Sequence, residues 1–375
     1  MREEFVSRKQ VNLLIERIRK VEETNAAKEL LVYMSNSFKK SNCSPHIMVV
    51  GAGSSYPATI FAKHALEQKL KMCIPTIEAV APQTAIKVLT QFDWLNNGDL
   101  NPKYDLVIGF SYSGKTPNIK HVAKICSRTS TPFLLVTGAE KSTLADIYHE
   151  HGNVKIISYY NEEDSTGKER SMVSMFSTLA PVIVFNDFCS CGKISENQES
   201  LIIGEKLATN LNIPKIAIAI KSCPVIHVFY EYDTLPTAVD IKSKFAESGI
   251  ANVVLHEKKD LLYGHYAALY TQKFAAVINL TRYSSLRANS KKTYKNKYDK
   301  NLAAFLAKRC EEKSANYIEI GTDSFITTKW NLEAMSMLPY FITLIGEELG
   351  IDISKPLNPF PKQELLTLYN CKEEF

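Results

Sequence analysis

The sequence predicts an α/β protein with two doubly wound parallel sheets. Short apolar runs alternate with amphipathic helical stretches, as βα repeats require. Glycine- or hydroxyl-rich turns close several of the runs, and the whole alternation occurs twice along 375 residues. At roughly 100–200 residues per domain that length suggests two or three domains.

Taken in order, residues 1–40 read as a helical segment: VNLLIERI and AAKELLVYM space apolar residues three and four apart among charges. Residues 41–190 read as the first α/β domain. HIMVVGAGSSYPATIFAKHALEQ is a strand, a small-residue turn and a helix, and MCIPTIEAV holds a further short strand. YDLVIGFSYSGKTPNIKHVAKICSR repeats strand, turn and helix, and FLLVTG and NVKIISYY add two strands. SMVSMFSTLAPVIVFNDF is a long apolar helix. Residues 191–204, polar and rich in small side chains, read as a linker. Residues 205–350 repeat the alternation, from CPVIHVFYEYD and its helix through VVLHE, FAAVINL and NYIEIG to the helix LEAMSMLPYFITLIGEELG. Residues 351–375 form a proline-containing, lid-like tail.

The composition excludes several classes. Lys plus Arg number 45 against 40 Asp plus Glu, a net charge of +5, which suits an anionic small ligand and is too mild for a dedicated nucleic-acid binder. No apolar run reaches the ~20 residues of a membrane span, and MREEFVSRKQ is no signal peptide. The eight cysteines are scattered, and Cys189-Ser-Cys191 alone is close-spaced. They read as reduced thiols of a cytoplasmic protein; no metal, cofactor, membrane or nucleic-acid partner is implied.

Two turns carry the chemistry. Gly51-Ala52-Gly53-Ser54-Ser55-Tyr56 joins a strand to a helix, with Tyr56 where a dinucleotide fingerprint needs its third glycine and no Gly-Lys-Ser/Thr of a P-loop. What remains is a glycine turn with two hydroxyls at a helix start, which is either an ordinary βα turn or an anion site. Ser111-Tyr112-Ser113-Gly114-Lys115-Thr116 repeats the arrangement after the next long strand. Ser111, Ser113 and Thr116 offer O–H donors suited to the three terminal oxygens of a phosphate monoester. Lys115 either adds a charge or is solvated.

At these residues the sequence resembles the sugar isomerase (SIS) family, whose strand-(S/T)xSGxT-helix loop and upstream glycine turn bind phosphosugars. The resemblance runs from about residue 45 to the C-terminus. It is to the tandem SIS pair forming the isomerase half of glucosamine-6-phosphate synthase and to fructoselysine-6-phosphate deglycase-like proteins. It implies two flavodoxin-like three-layer domains, with Gly53, Ser54, Ser55, Ser111, Ser113 and Thr116 at phosphate-loop positions and Tyr112 in place of a family Gln. Lys168, Glu169 and Ser171 fall where the family lines its sugar pocket.

In the second half, Lys244 and Glu247 are three apart on one helix and share a side. Alone, such a pair reads as a solvated surface ion pair. By the resemblance, Glu247 shuttles a proton between C1 and C2 of a sugar while Lys244 holds the developing oxyanion. His265, in Tyr263-Gly264-His265-Tyr266, stands near a family His-Gly with the order reversed; it is the candidate for ring opening, lent across a homodimer. Lys362 matches the Lys of the family's terminal loop.

The implied function is an enzyme acting on a sugar or amino-sugar 6-phosphate by C1–C2 proton transfer, as an aldose–ketose isomerase, deaminase or deglycase. The alternative is a phosphosugar-binding regulator without turnover. The basic run Arg282, Arg287, Lys291, Lys292, Lys295, Lys297 and Lys300 reads as a solvated face.

Overall fold

The computed structural model describes residues 5–38, 44–70, 75–95, 104–139, 153–159, 169, 173–190, 196–264, 266–282 and 297–355. The strands form two wholly parallel sheets. The first has β1 (His46–Gly51), β2 (Thr76–Val80), β3 (Leu106–Ser111), β4 (Phe133–Thr137) and β5 (Val154–Ser158) in the order β2-β1-β3-β4-β5. The second has β6 (Val225–Tyr230), β7 (Asn252–Glu257), β8 (Ala276–Leu280) and β9 (Asn316–Ile320) in the order β7-β6-β8-β9. Among the described residues the second order repeats the first, one strand shorter. This is the two-sheet, doubly wound architecture expected from the alternation.

The helices are α1 (Val6–Asn12), α2 (Leu14–Glu23), α3 (Ala26–Phe38), α4 (Ser55–Lys69), α5 (Pro82–Leu95), α6 (Pro117–Arg128) and α7 (Phe176–Cys189). They continue with α8 (Glu196–Thr209), α9 (Ile213–Ser222), α10 (Leu235–Ser248), α11 (Tyr266–Thr271), α12 (Lys297–Glu312) and α13 (Thr327–Leu349).

Strand side chains alternate between two environments, as the period of two demands. Ile47 and Val49 of β1 and Leu106, Ile108 and Phe110 of β3 face inward, while Met48, Val50 and Val107 face outward under α5 and α6. In the second sheet Ile226, Val228, Ile278 and Ile320 face inward, while Phe229 and Val277 face α11 and α12. The two inward faces share one core, filled by α4, α7, α8, α9, α10 and α13. Helix α13 is buried on nearly every side and touches α4, α7, α8, α9 and α10. The opening helices lie on α7 through Leu14, Ile18 and Val21, one face at i, i+4 and i+7.

Three places depart from the sequence reading. Residues 196–204, read as linker, form the first part of α8. Its polar letters are packing residues: Asn197 and Ser200 are fully buried, and Asn197 bridges Asn186 and Asp187. Helix α9 was not anticipated; Ile213, Ile216 and Ile220 supply its buried face, and Asn212 caps it by accepting from Lys215 N–H. Arg282 is no solvated residue, since its guanidinium donates to Asp233, Thr327 Oγ1 and the Phe325 carbonyl. Lys297 and Lys300 are exposed on α12, and the rest of that basic run lies outside the described residues.

Candidate functional site

Both predicted turns flank the switch point of the first sheet, where the chain leaves β1 toward β2 on one side and β3 on the other. The β1 turn must bring α4 close to the strand end. A Cβ at Gly51 would lie 2.1 Å from Thr59 Oγ1, so glycine alone fits. After β3, Gly114 adopts φ +61 and folds the turn so that its N–H donates to Ser111 O at 3.1 Å. Ser111 is buried and shares a 2.8 Å hydrogen bond with Thr116 Oγ1, while Lys115 N–H donates to Ser113 Oγ at 3.2 Å. Thr116 then precedes Pro117, the first residue of α6.

A cleft of about 1180 Å³ opens over these turns. Gly53, Tyr56, Ser113, Lys115 and Thr116 form its floor; Lys120, His121 and Lys124 of α6 form one wall; Val239, Lys242, Ser243 and Ala246 of α10 form the other. Ser54, Ser55, Ser111 and Tyr112 stand just behind this lining. Ser54 O accepts from Thr178 Oγ1, Ser55 O accepts from Thr59 Oγ1, and the Tyr112 ring meets Phe176 edge-on.

Glu247 lies on α10 one residue from the cleft wall. Ser243 Oγ donates to its Oε1 at 3.0 Å and Ser174 N–H donates to its Oε2 at 2.9 Å. Burial pushes its carboxyl above the ordinary value, against the opposing pull of Lys244 and of the two donors. Lys244 turns the other way. Its ammonium is 1% exposed and donates to Asp240 Oδ1 at 2.8 Å and to Thr178 Oγ1 at 2.9 Å, so it does not line the cleft. Burial likewise raises Asp240, and the Lys244 charge opposes it. Glu169 caps α7, its carboxylate accepting from the N–H groups of Met175, Phe176 and Ser177 at 2.6–3.0 Å.

The structure therefore brings Gly53, Ser113 and Thr116 to one cleft with Ser243 and, behind it, Glu247. It sets Lys244 in the core. Lys168, Ser171, His265 and Lys362 lie outside the described residues. Sequence reasoning missed Ser174, Thr178 and Asp240, whose roles arise only when α7 meets α10. It also missed the α6 lysines, although their spacing of four on the helix after the serine loop was a readable signal.

Two parallel sheets with paired turns at a β1/β3 switch point define the SIS fold, and this chain has it. Its backbone matches the C-terminal domain of glucosamine-fructose-6-phosphate aminotransferase from Francisella tularensis, with a TM-score of 0.68 at 12% identity over 95% of this chain and 99% of that one. It also matches tagatose-6-phosphate ketose/aldose isomerase from Escherichia coli, with a TM-score of 0.66 at 14% identity over 95% and 97% of the chains. Glucosamine-6-phosphate deaminase from Thermotoga maritima gives a TM-score of 0.60 at 15% identity over 93% and 98%. No protein-family model and no curated protein sequence matches the chain. Among the described residues no helix is long and apolar enough to cross a membrane.

Proposed function

We propose that the chain is a cytoplasmic enzyme that binds a phosphorylated sugar in this cleft and moves a proton between its C1 and C2. One observation carries the reading. Ser113 and Thr116 line the same cleft as Ser243, and the Ser243 hydroxyl is bonded to the Glu247 carboxylate. The phosphate sits against Ser113, Thr116 and the start of α6, where hydroxyls, backbone N–H groups and the helix dipole converge. The Ser111–Thr116 hydrogen bond uses one of the two hydroxyl protons and leaves the other for a phosphate oxygen.

The carbon chain then extends toward α10. Glu247 in its ionised form takes the proton from one carbon, leaving an enediol or enediolamine, and returns it to the neighbouring carbon. Partial burial makes that carboxylate a stronger base than an exposed one. Lys244 acts as a positioning residue that fixes α10 on Thr178. In this reading His265 of a partner subunit opens the ring in a homodimer, and Lys168, Ser171 and Lys362 complete the pocket. Isomerase, deaminase and deglycase chemistry share the proton transfer. The solved structures that the fold matches include an isomerase and a deaminase, both named for sugar phosphates.

The test is solvent-deuterium exchange at C1 and C2 across a panel of hexose, hexosamine and glycated-amino-acid 6-phosphates, with thermal shift as the binding readout. Glu247→Gln is expected to cut exchange by about 10²–10⁴ while the ligand-induced shift persists. Undiminished exchange would remove Glu247 from the mechanism. A second reading, a phosphosugar-binding regulator, is favoured by the burial of Lys244 away from the cleft. It predicts a thermal shift with no exchange in the unaltered protein.

A further inference from the structure

The charge of the cleft exceeds what one phosphate monoester asks for. Among the described residues its lining holds Lys115, Lys120, Lys124 and Lys242 together with His121, and no Asp or Glu. Across the whole chain cations and carboxylates are nearly balanced, at 45 to 40, so four lysines to no carboxylate among the described lining residues is a local concentration. No ion pair joins any of the four to a carboxylate among the described residues.

The four are not one solvated helix face. Lys115 belongs to the serine turn, Lys120 and Lys124 stand one turn apart on α6, and Lys242 comes from α10 across the opening. Like charges at i and i+4 repel, and a third cation facing them adds to that cost unless an anion lies between. A cleft lined by one sign focuses its field on the space enclosed.

We propose that the ligand carries a second anionic group, a phosphate or a carboxylate, remote from the phosphate held at Ser113 and Thr116. Lys120, Lys124 and Lys242 bind it between α6 and α10. This rests on the phosphosugar reading and narrows it to doubly anionic sugars.

Binding to the full chain is measured by calorimetry for three probes: fructose 6-phosphate, fructose 1,6-bisphosphate and 6-phosphogluconate. The bisphosphate, the phosphogluconate or both are expected to bind about tenfold or more tighter than the monophosphate, and which one does so identifies the second group. Raising salt from about 0.05 to 0.5 M shrinks that preference. Lys120→Gln/Lys124→Gln, and separately Lys242→Gln on the opposite wall, collapse the ratio toward one, whereas Ser113→Ala/Thr116→Ala weakens all three probes. Equal affinities for the three probes, or a proportional loss for all of them in the lysine variants, would overturn the second anion and leave the phosphosugar reading standing. Failure of every probe to bind would overturn both.

Discussion

Ser174 donates its backbone N–H to Glu247 Oε2 over 2.9 Å, across 73 residues of sequence. The same Ser174 offers its carbonyl to Thr178 Oγ1, which also approaches Ser54 O at 3.1 Å and accepts from the Lys244 ammonium. The glycine turn after β1, the start of α7 and the helix bearing the candidate base are thus tied by one polar network. Orientation of the carboxylate and placement of the turn are set together.

That network fixes the expected pH behaviour. In the proposed mechanism the ionised form of Glu247 is the base, and burial raises its carboxyl above the ordinary 4.5, so proton exchange should rise with pH along an acid limb lying above that value. Ser243→Ala removes a donor that favours the ionised form, and the limb moves to higher pH. A pH profile of kcat for both proteins checks this; a limb that moves downward contradicts it.

The Lys244–Asp240 pair is fully buried, so breaking it from one side strands a charge. Asp240→Leu or Lys244→Met alone is expected to cost about 3–5 kcal/mol, and the double variant Asp240→Leu/Lys244→Met less than either. Urea denaturation of the three variants measures the cycle. Additive losses would mean that the charges do not depend on each other.

Gly204 of α8 lies on the backbone of α13: a Cβ there would stand 2.6 Å from Ser336 C and 2.7 Å from Met337 N. Gly204→Ala gains about 1 kcal/mol of helix propensity. It is nevertheless expected to lower stability, because backbone cannot yield as a side chain does and overpacking costs about 1–3 kcal/mol. A rise in Tm would refute the close crossing.

Burial, together with the neighbouring Glu22 charge, raises the Asp187 carboxyl to about 7, against the opposing hydrogen bond from Asn197. A raised folded-state value means that its contribution is fully present below about 3.8 and is lost as pH rises through about 7. The stability of the natural chain relative to Asp187→Asn should therefore fall across that window, by on the order of 4 kcal/mol at most. A difference that is flat with pH would show that Asp187 titrates normally.

Both sheets and both turns were legible because apolar runs with a period of two, closed by glycine and serine, have few other uses. Spacing of three placed Lys244 and Glu247 on one helical side but carried no information on which edge of that side meets the core. Packing against Thr178 decided it, and Thr178 sits inside an apolar run that reads as featureless helix. The stretch from 196 resembled a linker because buried Asn, Ser and Gly look like loop residues until their partners Asn186, Asp187 and Ser336 are known. His265 and Lys362 fall on segments outside the described residues.

Because α13 serves both sheets at once, the two repeats share their inner core, and each keeps for itself only a smaller cluster on the outer face of its sheet. Severing the chain near its midpoint would yield two fragments, each displaying an oily slab large enough to invite aggregation. The two halves repeat one strand order, yet melting should proceed as a single cooperative event rather than in two stages.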